Sequence, residues 1–166
     1  LTPSNPDEVE YNEFKLTKLF NIQSGDYHVA TSLADGDYPL ISCPEDRNGI
    51  TKPHSDLIYC DVPDENVYKD TITVAYNGQP LTAKFHPYKF ATKDDVAVLH
   101  PKEDLEMNTA VMVYLANAIE RNKWRYSYGR KCYKGKMNDR TVSLPVDEDQ
   151  EPDFDYMMNV VKQSPY

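Results

Sequence analysis

Residues 71–76, Thr-Ile-Thr-Val-Ala-Tyr, and 81–86, Leu-Thr-Ala-Lys-Phe-His, flank the dipeptide Asn77-Gly78. Asn-Gly supplies the positive φ angles of a type I′ turn, whose twist matches that of two paired strands. This stretch therefore predicts an antiparallel hairpin. A lone hairpin is marginal in water, so it needs further strands and something apolar against one face. Residues 95–99 offer the next strand. Val96-Ala97-Val98-Leu99 is apolar on both sides of the pleat, as expected of a central position.

The other strand signals also fall in the first hundred residues. Residues 38–43 read as a strand with Pro39 and Pro44 marking its bounds, residues 57–62 form a second short run, and Asn48-Gly49 marks a turn. Leu16, Leu19, Phe20 and Ile22 predict a strand or a short helix leading into Ser24-Gly25-Asp26. Helix signals come late. Asn108 is an N-cap candidate, with Val111, Leu115 and Ile119 on one stripe. Met112, Val113 and Tyr114 make that helix apolar nearly all round, hence buried. A second helix is expected from Pro152-Asp153, with Phe154, Met157, Met158 and Val161 at helical spacing and Asp153 and Asp155 favoured by the helix dipole. Short strands followed by two helices predict an α+β fold. The 12 Pro and 13 Tyr agree with strands and turns. Its 166 residues suit one domain, read as a polar leader over 1–13 and a folded unit over 14–166. A first residue that is Leu and not Met is expected of an excised or processed chain.

The net charge is −9, which taken alone argues against a polyanionic partner. The distribution is uneven, however. Residues 121–140 carry eight basic side chains against Asp139 alone, a local +7. The longest apolar stretch, residues 110–119, is half of the roughly 20 residues that a membrane helix needs, so no membrane association is expected. Cys43, Cys60 and Cys132 are odd in number and far apart, unlike a disulfide framework, and no signal peptide is visible. A cytoplasmic location follows as the expectation.

No catalytic constellation emerges. Pro6-Asp7 with Glu13-Phe14-Lys15 imitates a metal-dependent nuclease pattern, but the spacing in a proline-flanked leader suits it poorly. Ser164-Pro165-Tyr166 falls one Pro short of a methyltransferase tetrapeptide. Glycine-rich phosphate or dinucleotide loops are missing, and the Cys and His spacings match no metal motif, so neither cofactor nor metal is expected. What remains is the basic, aromatic run from Arg121 to Lys131. Cations suit phosphates and aromatic rings suit sugars, while the bland alternative is a solvated helix end.

Here a family resemblance appears. Tyr126-Ser127-Tyr128-Gly129-Arg130-Lys131, then Val142-Ser143-Leu144-Pro145-Val146, then Glu151-Pro152-Asp153-Phe154-Asp155-Tyr156-Met157 with Val160-Val161-Lys162, resembles the C-terminal half of DNA target-recognition domains. These are the specificity domains of type I restriction-modification S subunits and of fused type II restriction enzymes. Leu19-Phe20-Asn21-Ile22 with Gly25, Asn48-Gly49-Ile50, Ile72-Thr73-Val74, Phe85-His86-Pro87, Phe90-Ala91-Thr92 and Asp94-Asp95-Val96-Ala97-Val98-Leu99 agree in order. The resemblance implies a β-rich N-terminal part, coiled somewhat like a β-helix, and then a small α/β part. It implies sequence-specific recognition of double-stranded DNA, with DNA methyltransferase and restriction endonuclease subunits or fused domains as partners. S subunits carry two such domains separated by long helices. This chain has one and no heptad segment, so half of an S subunit and a fused enzyme both stay open.

The expected phosphate contacts are Arg121, Lys123, Arg125, Arg130, Lys131, Lys134, Lys136 and Arg140, with Tyr126 and Tyr128 beside them. Base readout is expected from loops with Arg47, Asn48, Asn77 and Gln79, residue types that reach base edges. The rival readings are a nuclease using the leader acids and an acidic protein-interaction domain that mimics DNA.

Overall fold

The computed structural model describes residues 9–26, 34–41, 59–75, 82–121 and 137–164. Its elements are β1 (Tyr11–Lys15), α1 (Leu16–Leu19), β2 (Phe20–Ser24), β3 (Ala34–Ile41), β4 (Tyr59–Asp61), β5 (Thr71–Ala75), β6 (Ala83–His86), β7 (Ala91–Thr92), β8 (Val96–Pro101), α2 (Thr109–Arg121), β9 (Thr141–Pro145) and α3 (Phe154–Gln163). This is the expected α+β arrangement, with most strands first and the two long helices late.

The main sheet has the order β2-β8-β5-β6 and is antiparallel throughout. The hairpin forms as expected, from Thr71 opposite His86 to Val74 opposite Ala83. Its turn at Asn77-Gly78 lies outside the described residues. β8 is central, as its two-sided apolar run predicts. Register then sorts the side chains into rows across the sheet. Ile22, Leu99, Ile72 and Phe85 form one row, and Ser24, Ala97, Val74 and Ala83 the next. Apart from Ser24, these side chains belong to the main core, with α2 over β5 and β6. Small residues at 83 and 97 leave room for the helix. Val111, Met112, Leu115 and Ile119 of α2 complete that core, with Met157 of α3.

Both helix starts follow the sequence signals. The Val111 amide donates to Asn108 Oδ1 at 3.0 Å, and the Tyr156 amide to Asp153 Oδ1 at 3.0 Å. Each bond satisfies one of the first-turn N–H groups that a helix leaves unpaired. Asn108 also donates through Nδ2 to Met158 Sδ, joining the two helices. Phe154, Met157, Met158 and Val161 are the side chains through which α3 packs.

The N-terminal boundary differs from the expectation. β1 pairs with β9, with Phe14 opposite Val142 and Asn12 opposite Leu144. Tyr11, Asn12 and Glu13 therefore belong to the fold and not to a leader ending at residue 13. The local pattern is too short to reveal a strand whose partner lies 130 positions along the chain. The predicted strand or short helix over residues 16–22 is both in succession: α1 for one turn, then β2.

A smaller sheet, β4-β3-β7, pairs β3 antiparallel with β4 and parallel with β7. Leu40, Cys60, Val62 and Ala91 form its own core. β3 bulges between Asp35 and Tyr38. Gly36 sits in the bulge, where a Cβ would come within 2.5 Å of Asp61 N and Cys60 O. Gly25 is tighter still. Its N–H donates to Val96 O at 2.9 Å, and a Cβ there would lie 2.0 Å from Lys93 O and 2.7 Å from Thr92 Oγ1. Two backbone segments cross at this glycine, and neither can retreat without breaking a strand. Gly25→Ala is expected to destabilise the protein by about 2 kcal/mol or more, since overpacking against backbone forces a shift. Urea unfolding measures it, and a loss below about 0.5 kcal/mol would show that the crossing is not tightly packed.

Candidate nucleic-acid interface

The cation-rich segment is anchored at both ends. Arg121 closes α2, where the helix dipole favours a cation. Its guanidinium lies 5.5 Å from the Tyr114 ring centre, and its Nε donates to Asn117 O at 3.4 Å. At the far end, Met137 is fully buried, and the Arg140 amide donates to Met137 O at 3.2 Å. The Leu16 amide donates to Arg140 O at 2.9 Å, which ties this end to α1. Lys123, Arg125, Tyr126, Tyr128, Arg130, Lys131, Lys134 and Lys136 lie between the anchors, outside the described residues. Arg47, Asn48, Asn77 and Gln79 lie outside them as well. Strands β5 and β6 approach the last two, and the Ala75 amide still donates to Thr82 O at 3.1 Å.

Arg140, expected among the phosphate contacts, is only 8% exposed, at the residue before β9. Composition counted it with its neighbours because charge alone does not report burial.

Sequence reasoning missed the second face of the main sheet. There the rows read Asn21, His100, Thr71, His86 and Gln23, Val98, Thr73, Lys84. The signal was present as polar residues at every second position in β2, β5 and β6, but only register aligns them. Tyr68, Phe90 and Val98 form a small cluster on this face, with Ile41 packed against it. The Tyr68 hydroxyl donates to Asp26 Oδ2 at 2.8 Å and accepts from Gln23 Nε2 at 3.0 Å. Gln23 Oε1 is 2.7 Å from His100 Nε2. Burial, with Asp26 adding, pushes the Tyr68 phenol well above its ordinary range, so it stays protonated. Burial alone moves the His100 imidazole down.

A second polar chain runs from the sheet to the surface. Thr73 Oγ1 is 2.8 Å from His86 Nε2, and His86 Nδ1 is 2.8 Å from the Tyr88 hydroxyl. Thr73 is 3% exposed and His86 4%, whereas Tyr88 is 46% exposed. Hydrogen-bond bookkeeping assigns the tautomer. With the proton on Nδ1, Thr73 donates to Nε2 and His86 donates to the Tyr88 oxygen. The opposite tautomer makes Nε2 the donor and strands the buried Thr73 O–H, at a cost of about 1–3 kcal/mol. Each hydroxyl therefore points its proton outward along the chain, and the Tyr88 O–H is left to donate to solvent.

Burial, with Lys84 adding, lowers the His86 pKa to about 4 from the ordinary 6.5. The unfolded chain takes up that proton more readily, so the folded state is fully favoured above the ordinary value and loses stability as pH falls. The loss falls between about pH 6.5 and 4 and reaches on the order of 3 kcal/mol. Denaturant unfolding at a series of pH values reads it against His86→Gln, which should show a shallower decline. Equal declines in the two proteins would assign the titration elsewhere.

Among the described residues, no helix is long and apolar enough to cross a membrane. The combination now in hand is a two-faced antiparallel sheet under two capped helices and a strongly cationic segment fixed at both ends. It belongs to a recognisable class of protein. Residues 8–164 match the family described as the type I restriction modification DNA specificity domain, and the chain belongs to that family. It is 27% identical over 150 residues to the type II restriction enzyme BgcI specificity subunit S.BcgI of Heyndrickxia coagulans, covering 90% of this chain and 42% of that protein. The fold is shared with the type I restriction-modification S subunit of M. genitalium, at a TM-score of 0.63, 13% identity and 88% coverage of this chain. The HsdS subunit of Thermoanaerobacter tengcongensis aligns over 97% of this chain at a TM-score of 0.62 and 14% identity. The chain spans 37% and 39% of those two structures, so it corresponds to well under half of each.

Proposed function

We propose that this chain reads part of a double-stranded DNA target for a restriction-modification system and delivers that DNA to methyltransferase and endonuclease subunits or fused domains. The observation that carries the reading is the family match over residues 8–164, joined to a +7 segment in a chain of net charge −9. A local field of that sign governs contacts within about 8–10 Å, the screening length in physiological salt, whatever the total charge. Lys123, Arg125, Arg130, Lys131, Lys134 and Lys136, with Arg121, supply the phosphate contacts, and Tyr126 and Tyr128 pack beside them. Such contacts position the duplex, and side chains such as Arg47, Asn48, Asn77 and Gln79 read base edges. The chain performs no chemistry itself and works in the cytoplasm, where its DNA and partner subunits are.

Neither rival gains an observation. Glu13 and Lys15 sit on β1 opposite Ser143 and Thr141, in a two-stranded sheet with β9, and Asp7 lies outside the described residues. For a DNA mimic, the cationic segment carries the wrong sign.

Duplex binding measured across a salt series tests the proposal. One small domain making about 3–5 phosphate contacts should give a slope of log K against log salt of roughly −3 to −5. Arg130→Ala or Lys131→Ala should weaken target and random duplex alike and reduce the slope by about one. Wild-type slopes in both variants would remove this segment from the interface. Gln79→Ala should relax preference at one target position by about 1–3 kcal/mol while sparing random-sequence affinity. A single-position library competition reads that, and unchanged preference at every position would take Gln79 out of the readout set. Methyl transfer or strand cleavage by the chain alone, abolished by one of its own substitutions, would overturn its non-catalytic role.

A further inference from the structure

The Thr73–His86–Tyr88 chain is unlike the other polar contacts of the sheet. The Tyr68 hydroxyl is bonded on both sides, to Asp26 and Gln23, and stays buried. Tyr88 ends in the open. Two buried polar groups are spent on fixing the hydroxyl of an exposed ring, although an apolar pair would pack at those positions with no polar group to satisfy. The ring itself is also fixed. It meets His86 edge-on at 5.4 Å and Phe90 edge-on at 6.4 Å. Phe90 is fully buried and bridges to Tyr68, so the support is rigid. A side chain with few torsions, held from two directions, loses little entropy on meeting a partner.

Its surroundings suit a polyanion. Lys84 lies on β6 two residues from His86, on the same face of the strand, and its charge is felt by the His86 ring. Lys84, Pro87 and Lys89 are all exposed. Tyr59 of β4 is 53% exposed and close enough for its ionisation to oppose that of Tyr88. Burial, with Tyr59 adding, raises the Tyr88 phenol, so the hydroxyl remains a donor at neutral pH. A hydroxyl donor bracketed in sequence by two exposed lysines, within electrostatic reach of a second exposed phenol, offers a sugar-phosphate backbone hydrogen bonds and aromatic surface. The site lies just beyond the end of β6 at His86, which pairs with Thr71 at the start of β5, so it stands at the open end of the hairpin.

We propose that Tyr88 is a DNA-backbone contact, pre-oriented by the Thr73–His86 chain and flanked by Lys84 and Lys89. The proposal rests on the DNA-reading function above. It adds a second phosphate footprint at residues 84–89, apart in sequence from residues 121–140. His86 acts here as a positioning residue and touches no DNA.

The test uses the protein as its gene encodes it, with fluorescently labelled target and random-sequence duplexes. Tyr88→Phe keeps the ring and removes only the hydroxyl. It should weaken both duplexes equally, by about 3- to 10-fold, the range of one ordinary hydrogen bond at an exposed site. Lys84→Gln and Lys89→Gln should each reduce the salt slope by about 0.9 and leave the target-to-random ratio unchanged. His86→Gln should weaken binding in the wild-type background and have no further effect in Tyr88→Phe, a coupling that simple loss of stability does not produce. Circular dichroism and thermal melts confirm that each variant is folded. A wild-type protein that binds no duplex overturns the DNA reading and this contact together. Wild-type binding with Tyr88→Phe, Lys84→Gln and Lys89→Gln all at wild-type affinity and slope overturns the contact alone.

Discussion

β8 is the constraint on which the rest of the structure depends. It bonds to β2 along one edge and β5 along the other, so it joins the N-terminal strand of the main sheet to the hairpin. Val96, Ala97, Val98 and Leu99 are all essentially without exposure. Burial on both faces requires a cover on each side. α2 supplies one, and Tyr68 and Phe90, with Ile41 of β3, supply the other. A backbone buried this way must pair every N–H and C=O, and two ladders do that. One cover comes from segments that precede β8 in the chain and the other from the helix that follows it.

The two faces divide the work by chemistry. Rows of Ile, Leu, Val, Ala and Phe under α2 supply the area whose removal from water drives folding. The other face carries Asn, Gln, Thr, His and Lys, and its buried polar atoms are largely bonded to each other. Hydrogen bonds contribute modestly to net stability, but they fix geometry, because a buried donor has few places to go. Such fixed geometry suits the DNA reading proposed above, in which surface side chains must keep register with a duplex. The acid excess is no obstacle, because screening confines each charge to its neighbourhood.

Much of this was legible in the residues. Asn77-Gly78 between two β-branched runs specified the hairpin, and the apolar run 96–99 specified a central strand. Asn108 and Asp153 marked the helix starts, because a capping side chain and its N–H lie within three residues of each other. The cationic segment was visible as composition. What escaped was the pairing of β1 with β9 and the depth of Arg140. Nor did the sequence reveal that polar residues from β2, β5, β6 and β8 share one face. Each involves partners far apart in the chain, and a five-residue strand carries too little pattern to name its neighbour.

The sequence by itself therefore determined the element types, the helix caps, the family and the sign of the charged segment. These depend on interactions within a few residues, or on motif order along the chain. Tertiary structure alone decided which edges pair, which cation is buried and which tyrosine hydroxyl is held outward at the surface. Those depend on burial and register. Both exist only once distant segments have displaced the water between them, and a one-residue shift in register would send every one of these side chains to the opposite face.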